Sequence, residues 1–164
     1  MKKILIILSL FLLSISAEAQ FILSRNNYVP PAVTGGGDPP ASEMISNGTF
    51  TTDADWTYNP LDFTIGGGVC DKIAAGGGCD LNQLGTDMLG TILVNTDYRC
   101  TIVVSAGIEV IIGNGSQFYT GYVNLTAGSN TLDFTTPASI SNTNIKFIFG
   151  AGLDDITSIS LVEN

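Results

Sequence analysis

The side chains best suited to chemistry in this 164-residue chain are acidic and aromatic, because the chain contains no histidine. Nucleophilic catalysis by serine or cysteine usually needs a base, most often histidine, so no hydrolase triad is expected. Paired carboxylates could cleave glycosides. The aspartates available for that role are Asp53, Asp55, Asp62, Asp154 and Asp155. Isolated aspartates in Gly- and Asn-rich loops more often cap turns, so we expect a chain without catalytic activity.

Aromatic and amide side chains offer a second kind of chemistry, which is binding. An aromatic ring stacks on the apolar face of a pyranose, while amides and carboxylates bond the sugar hydroxyls. The candidates for such a site are Tyr58, Asn114, Gln117, Phe118, Tyr119 and Tyr122. The alternative is that most of these rings fill the core. Tyr119 and Tyr122 lie beside predicted turns, which favours a place on the surface for them.

Three cysteines, Cys70, Cys79 and Cys100, allow at most one internal disulfide. We favour the pair Cys70 and Cys79, because the segment between them could form a hairpin turn that brings them together. Two unpaired thiols are the alternative. Cys100 lies in an apolar run and is expected to be buried. The spacing matches no zinc pattern.

The N-terminus has the pattern of a secretory signal peptide. A basic start is followed by an apolar run over residues 4–13 and by an Ala-x-Ala cleavage pattern that ends at Ala19. The run is shorter than the roughly 20 residues that a helix needs to cross a bilayer. We therefore expect residues 1–19 to be removed and the rest to be secreted, periplasmic or on the cell surface, without membrane insertion. Residues 20–42, rich in Pro and Gly, are predicted to be a flexible linker or docking arm.

Charge narrows the range of partners. The chain carries 6 Lys and Arg against 15 Asp and Glu, for a net charge of −9. Proteins that follow a phosphate backbone need clustered basic residues, so nucleic acid is not an expected partner. An anionic membrane surface would repel the chain for the same reason.

After Glu43 the chain consists of short runs rich in Thr, Val, Ile, Phe and Tyr, separated by Gly, Asn and Asp clusters, which is typical of an all-β domain. Strands are predicted near residues 44–50, 56–58, 69–74, 79–84, 91–94, 98–105, 108–112, 117–125, 130–134, 145–149 and 156–162. So many short strands cannot bury one face as a single flat sheet, so two packed sheets are expected. We predict a jelly-roll β-sandwich over residues 43–164.

The order of motifs resembles that of galactose-binding-like jelly rolls, the fold of several carbohydrate-binding modules and of many phage tail and fibre domains. Residues 47–56, NGTFTTDADW, resemble the opening "NGDFE…GW" of that family. Three further segments resemble later family strands: 93–102, 125–134 and 156–161. The resemblance covers residues 44–162 and implies that Trp56 and Tyr98 are core residues.

The resemblance also raises the possibility of a structural calcium ion. Its acidic ligands in the family fall at positions that are Thr51 and Thr157 here, and hydroxyls are poor replacements for carboxylates. The residues that could compensate are Asp53, Asp55, Asp154 and Asp155. No other cofactor is expected.

Two hypotheses follow for the role of the domain. The first is a non-catalytic exported binding or adhesion module that recognises carbohydrate at a cell surface. The second is a structural or assembly protein, such as a virion fibre or decoration subunit, that binds partner proteins or copies of itself. They differ in whether the partner is a glycan or a protein.

Overall fold

The computed structural model describes residues 42–164. They form ten strands and no helix. The strands are β1 (Thr57–Tyr58), β2 (Phe63–Gly66), β3 (Val69–Lys72), β4 (Cys79–Gln83), β5 (Asp97–Val104), β6 (Glu109–Gly113), β7 (Val123–Asn124), β8 (Gly128–Thr135), β9 (Ile145–Phe149) and β10 (Asp154–Glu163). The predicted signal peptide and almost all of the predicted arm lie outside the described residues. No helix in residues 42–164 is long and apolar enough to cross a bilayer.

The strands form two antiparallel sheets of five strands each. Sheet I has the order β1-β4-β9-β6-β7, and sheet II has the order β2-β3-β10-β5-β8. Most consecutive strands lie in different sheets, so the chain crosses repeatedly between them. The predicted all-β, two-sheet sandwich is confirmed.

Alternating side chains build the core between the sheets. In β9 the buried residues Ile145, Phe147 and Phe149 alternate with the half-buried Lys146 and Ile148. This is the period of two that a strand with one buried face requires. Burying one such side chain stabilises the fold by about 2 kcal/mol.

Trp56 and Tyr98 are core residues, as the family resemblance implies. The Trp56 ring centroid lies 5.3 Å from that of Phe50 and 6.3 Å from that of Phe147. The Tyr98 ring stacks on Phe134 with a centroid distance of 5.8 Å. The Tyr98 hydroxyl accepts a 2.8 Å hydrogen bond from the Leu93 amide, which satisfies its polar end in the core.

Several strand predictions were wrong in detail. Residues 46–49 form a turn, because Asn47 takes a positive φ of 48° and Gly48 packs closely on β10. A Cβ at Gly48 would lie 2.0 Å from the Ile159 carbonyl oxygen. Residues 91–94 form no strand, and the predicted strand over 117–125 is mostly loop, interrupted by Gly121. Strand β2 was not predicted, because Phe63 to Ile65 is a short run before three glycines.

Candidate functional site

The outward face of sheet I presents polar side chains in register. Asp80 and Asn82 of β4 alternate with buried neighbours and therefore point outward. Asn82 pairs with Lys146 of β9 and with Thr57 of β1. Directly opposed residues share one face of an antiparallel pair. Thr57, Asn82 and Lys146 therefore form a row across three strands.

This row lies in a groove of about 370 Å³ at the β1 edge of sheet I. The groove is lined by Thr57, Tyr58, Asn59, Asp62, Gly78, Asp80, Asn82 and Lys146. Lys146 Nζ lies 2.6 Å from Asp80 Oδ2, so the two charges pair within the groove. The lining combines carboxylate, amide, hydroxyl and ammonium groups, which are donors and acceptors suited to hydroxyl-rich ligands.

Two exposed aromatic rings lie further along the same face. Phe118 forms a β-bridge with Gly113, which is paired with Lys146, so the Phe118 side chain shares the outward face. Tyr122 precedes Val123, whose side chain packs on the core, so Tyr122 points outward. The exposed fractions are 64% for Phe118 and 71% for Tyr122. Neither ring is therefore used to fill the core, and both are accessible to a ligand.

Tyr58 is the predicted binding residue that the structure places in the groove. It is half-buried at the edge of the sandwich, and its ring packs edge-on against Phe63 with a centroid distance of 6.5 Å. The pKa of Tyr58 is raised, chiefly by its partial burial and then by the negative charge of Asp53. Its hydroxyl is therefore neutral and can donate a hydrogen bond at ordinary pH.

Asn114 and Gln117 are turn residues in the structure. Asn114 is buried, and its Oδ1 accepts hydrogen bonds from the amides of Ser116 and Gln117. Its Nδ2 donates to the Asn142 carbonyl at 3.3 Å, and Asn142 Nδ2 donates in return to the Asn114 carbonyl. Gln117 Nε2 donates to the Ser139 carbonyl. The structure therefore corrects the prediction for Asn114, whose amide is committed to the loop and not presented to a ligand.

Tyr119 also differs from its predicted place on the surface. Its ring stacks on Phe134, with centroids 5.7 Å apart and planes tilted by 17°. Burial raises the pKa of its hydroxyl. Tyr119 thus extends the stack of Tyr98 and Phe134 and faces the core. Its neighbour in the sequence, Phe118, faces outward.

The four aspartates considered for calcium are not brought together. Asp154 is buried, and its Oδ1 accepts three hydrogen bonds from Ser105 and Ala106. Asp55 Oδ2 accepts a 2.6 Å bond from Ser46 Oγ. Within residues 42–164, no three His, Cys, Asp or Glu side chains are placed to share a metal ion.

Thr51 and Thr157, which stand at the positions of the family's acidic calcium ligands, do not fit a calcium ion either. The Thr51 hydroxyl donates to Asn47 Oδ1 at 3.0 Å, and the Thr157 hydroxyl donates to the Val103 carbonyl at 3.4 Å. A neutral hydroxyl is a weak ligand for a cation that prefers carboxylates. We therefore assign calcium no part in this site.

The cysteines are all buried and free in the structure. Cys70 lies on β3 of sheet II and Cys79 on β4 of sheet I. The segment between them crosses from one sheet to the other and is not the hairpin on which the predicted disulfide depended. Burial raises the pKa of Cys70 to about 12, and the pKa of Cys100 is raised further for the same reason.

The sequence reasoning missed Asp80, Asn82 and Lys146. A signal existed for two of them, because Asp80 lies between Cys79 and Leu81, and Lys146 lies between Ile145 and Phe147, in predicted strands. Such a pattern identifies the outward face. It does not show that β4 and β9 are neighbours, since Asp80 and Lys146 are 66 residues apart.

Several solved structures that share this fold are carbohydrate-binding modules. A family 4 carbohydrate-binding module aligns at a TM-score of 0.51 and 18% identity, over 73% of this chain and 99% of that chain. A family 29 module mutant in complex with mannohexaose aligns at 0.51 and 11% identity, over 76% of this chain and 93% of that chain. No family model matches the sequence, and neither does any curated protein. The chain therefore has a jelly-roll domain like those of carbohydrate-binding modules.

Proposed function

We propose that this domain is a non-catalytic carbohydrate-binding module that holds a neutral oligosaccharide on the outward face of sheet I. The observation that carries the proposal is the presence, on one sheet face, of a hydrogen-bonding groove and two exposed aromatic rings. The groove supplies groups for sugar hydroxyls, and the rings of Phe118 and Tyr122 supply apolar platforms for pyranose faces. The similar solved structures support a fold suited to this role.

The width of the face favours a chain of sugars over a single terminal sugar. Strands β1, β4, β9 and β6 are neighbours in sheet I. With strands about 4.8 Å apart, the outer two of these four are separated by about 14 Å. A ligand that reaches from Tyr58 to Phe118 must cross this distance, which exceeds one pyranose ring.

The charges favour a neutral ligand. Each of the three basic side chains in residues 42–164 already has a protein partner: Lys72, Arg99 and Lys146. Lys146 is the basic group in the groove, and Asp80 neutralises it there. With a net charge of −9 on the chain, a uronic acid or sulfated sugar would meet repulsion without a free cation to bind it.

Export to the cell surface or the medium is the setting that fits this role. The proposal depends on the signal-peptide pattern that ends at Ala19. N-terminal sequencing of the protein secreted by its own host tests it, and a mature N-terminus at Gln20 is the expected result. Retention of residues 1–19 would contradict export by this route.

A glycan-array screen of the purified protein, combined with light scattering, tests the binding function. Neutral plant or microbial oligosaccharides are expected to bind, and uronic acid or sulfated glycans of similar length are expected not to. Heat-denatured protein is the control for non-specific capture. A folded protein that is silent on every glycan would contradict the proposal, and a defined oligomer in that sample would favour the assembly role.

A further inference from the structure

Lys72 is the most deeply buried charged group in the described residues. Its exposed fraction is 0%, yet it forms no ion pair with any carboxylate there. An isolated ammonium in an apolar interior is strongly unfavourable unless other groups replace its water. The environment of Lys72 must therefore supply that replacement.

Three backbone carbonyls supply it. The Lys72 ammonium donates to the carbonyl oxygens of Ala74, Gly76 and Gly152, at 2.8 Å for Gly76 and 2.6 Å for Gly152. An ammonium has three N–H donors and no acceptor, so these three bonds use its whole capacity. Converging carbonyl oxygens are also the ligands with which proteins replace the hydration shell of a metal cation.

The three carbonyls come from two separate segments. Ala74 and Gly76 belong to the crossover 73–78 between β3 and β4, whereas Gly152 belongs to the turn before β10. The segments are joined by one further bond, from the Gly152 amide to the Ala75 carbonyl at 3.0 Å. The ammonium is thus the main group that fixes the crossover against the turn.

We propose that the carbonyl oxygens of Ala74, Gly76 and Gly152 form a cation site that the chain fills with its own Lys72 ammonium. The site takes one primary ammonium. It holds the crossover 73–78 in place between the two sheets, where a loop of three consecutive glycines has little structure of its own.

The site also shapes the groove, a consequence that depends on the function proposed above. Gly78, at the end of the crossover, lines the groove, and its amide donates to the Phe149 carbonyl at 2.9 Å. Without the cation, the crossover would lose its attachment to the Gly152 turn and the groove would lose part of its wall. Lys72 is thus a positioning residue that does not touch the ligand.

Chemical rescue tests the site without any glycan. Lys72→Ala removes three methylenes and the ammonium, which together match n-propylammonium. We expect the variant to melt about 10 °C lower, because the carbonyls of Ala74, Gly76 and Gly152 lose the ammonium that they bind. Added n-propylammonium chloride should restore most of this loss, while n-propanol and sodium chloride should not. Lys72→Met, which fills the space without a charge, is the matched variant that n-propylammonium should not rescue.

Equal melting of Lys72→Ala with and without n-propylammonium would overturn the proposal. If that variant does not fold, ¹⁵N spectra of the lysine side chains in the unaltered protein decide instead. Slow exchange of the Lys72 Nζ protons, with couplings to three carbonyl carbons, is expected. Exchange as fast as that of the partly exposed Lys146 would contradict it.

The effect on the groove is measured separately, by glycan affinity. If the unaltered protein binds a glycan, Lys72→Ala should weaken that binding and n-propylammonium should restore it. If n-propylammonium does not raise the melting temperature of Lys72→Ala, the cation site is refuted. If the unaltered protein binds no glycan, only the proposed function is refuted.

Discussion

Lys146 Nζ and Asp80 Oδ2 lie 2.6 Å apart on the outward face of sheet I, although they are 66 residues apart in the sequence. The pair is partly exposed, with 23% of the Lys146 side chain and 45% of the Asp80 side chain accessible. An exposed pair of this kind adds at most about 1 kcal/mol to stability. The pair therefore matters more for the groove than for stability, because it holds the Lys146 ammonium and the Asp80 carboxylate in fixed positions there.

The first prediction concerns this pair. Asp80→Asn and Lys146→Met should each weaken glycan binding about tenfold, because each removes a charge-assisted hydrogen bond. Each should change the free energy of unfolding by less than about 1 kcal/mol. Isothermal titration calorimetry and urea unfolding measure the two effects. Arg99→Ala, which breaks the exposed pair with Asp133 on sheet II, is the control and should leave binding unchanged.

The second prediction concerns the exposed rings. Phe118→Ala and Tyr122→Ala should each weaken binding roughly fivefold, because each removes one stacking platform worth about 1 kcal/mol. Leu89→Ala, an apolar residue that is 66% exposed in the loop before β5, is the matched control. Unchanged affinity in both aromatic variants, measured by calorimetry, would exclude these rings from the binding face.

The third prediction separates Asn114 from the site. Asn114→Ala should lower the free energy of unfolding by about 1–3 kcal/mol, because it leaves two loop amides and the Asn142 carbonyl without their side-chain partner. Glycan affinity per folded molecule should change little. Urea unfolding together with calorimetry at low temperature provides both values. A stable Asn114→Ala variant that no longer binds would restore Asn114 to the binding site.

The fourth prediction concerns the thiols. The pKa of Cys70 rises from 9.0 to about 12 on burial, so the folded state keeps its proton where the unfolded state loses it. Its contribution to stability is complete below pH 9 and is lost as the pH rises towards 12. The melting temperature of the unaltered protein should therefore fall as the pH rises over this range. The melting temperature of Cys70→Ala, measured against its own value at pH 7, should fall less.

Thiol counting checks the same residues by another route. Ellman's reagent should react with none of Cys70, Cys79 and Cys100 in the folded protein at pH 8, and with all three after unfolding without a reductant. Reaction of only one thiol after unfolding would show that a disulfide forms, as the sequence first suggested for Cys70 and Cys79.

The fold could be predicted because it depends on a local pattern. Alternating residues such as those of β5 and β9 give strands, and many short strands need two sheets to bury one face each. Strands were predicted wrongly where an apolar run suggested a strand but the backbone conformation required a turn. Asn47 has a positive φ and Gly48 packs against a carbonyl, so a run that seemed to be a strand is a turn.

The site could be predicted only in part, because it depends on register between distant strands. Tyr58 and Tyr122 were suggested by residue type; Tyr58 lines the groove with its ring packed against Phe63, and Tyr122 is exposed. Asn114 was suggested on the same grounds, but sequence cannot distinguish an amide that caps its own loop from one that faces solvent. Asp80 gained its place only through pairing of β4 with β9.

The most direct test of the account is a titration of ¹⁵N-labelled protein with the tightest-binding neutral oligosaccharide from the array. If the outward face of sheet I holds the ligand, amide shifts should cluster there, at Asn82, Lys146, Phe118 and Tyr122, while Thr101 and Thr131 of sheet II should be unchanged. Shifts centred on the outward face of sheet II, or no shifts with any glycan, would contradict it.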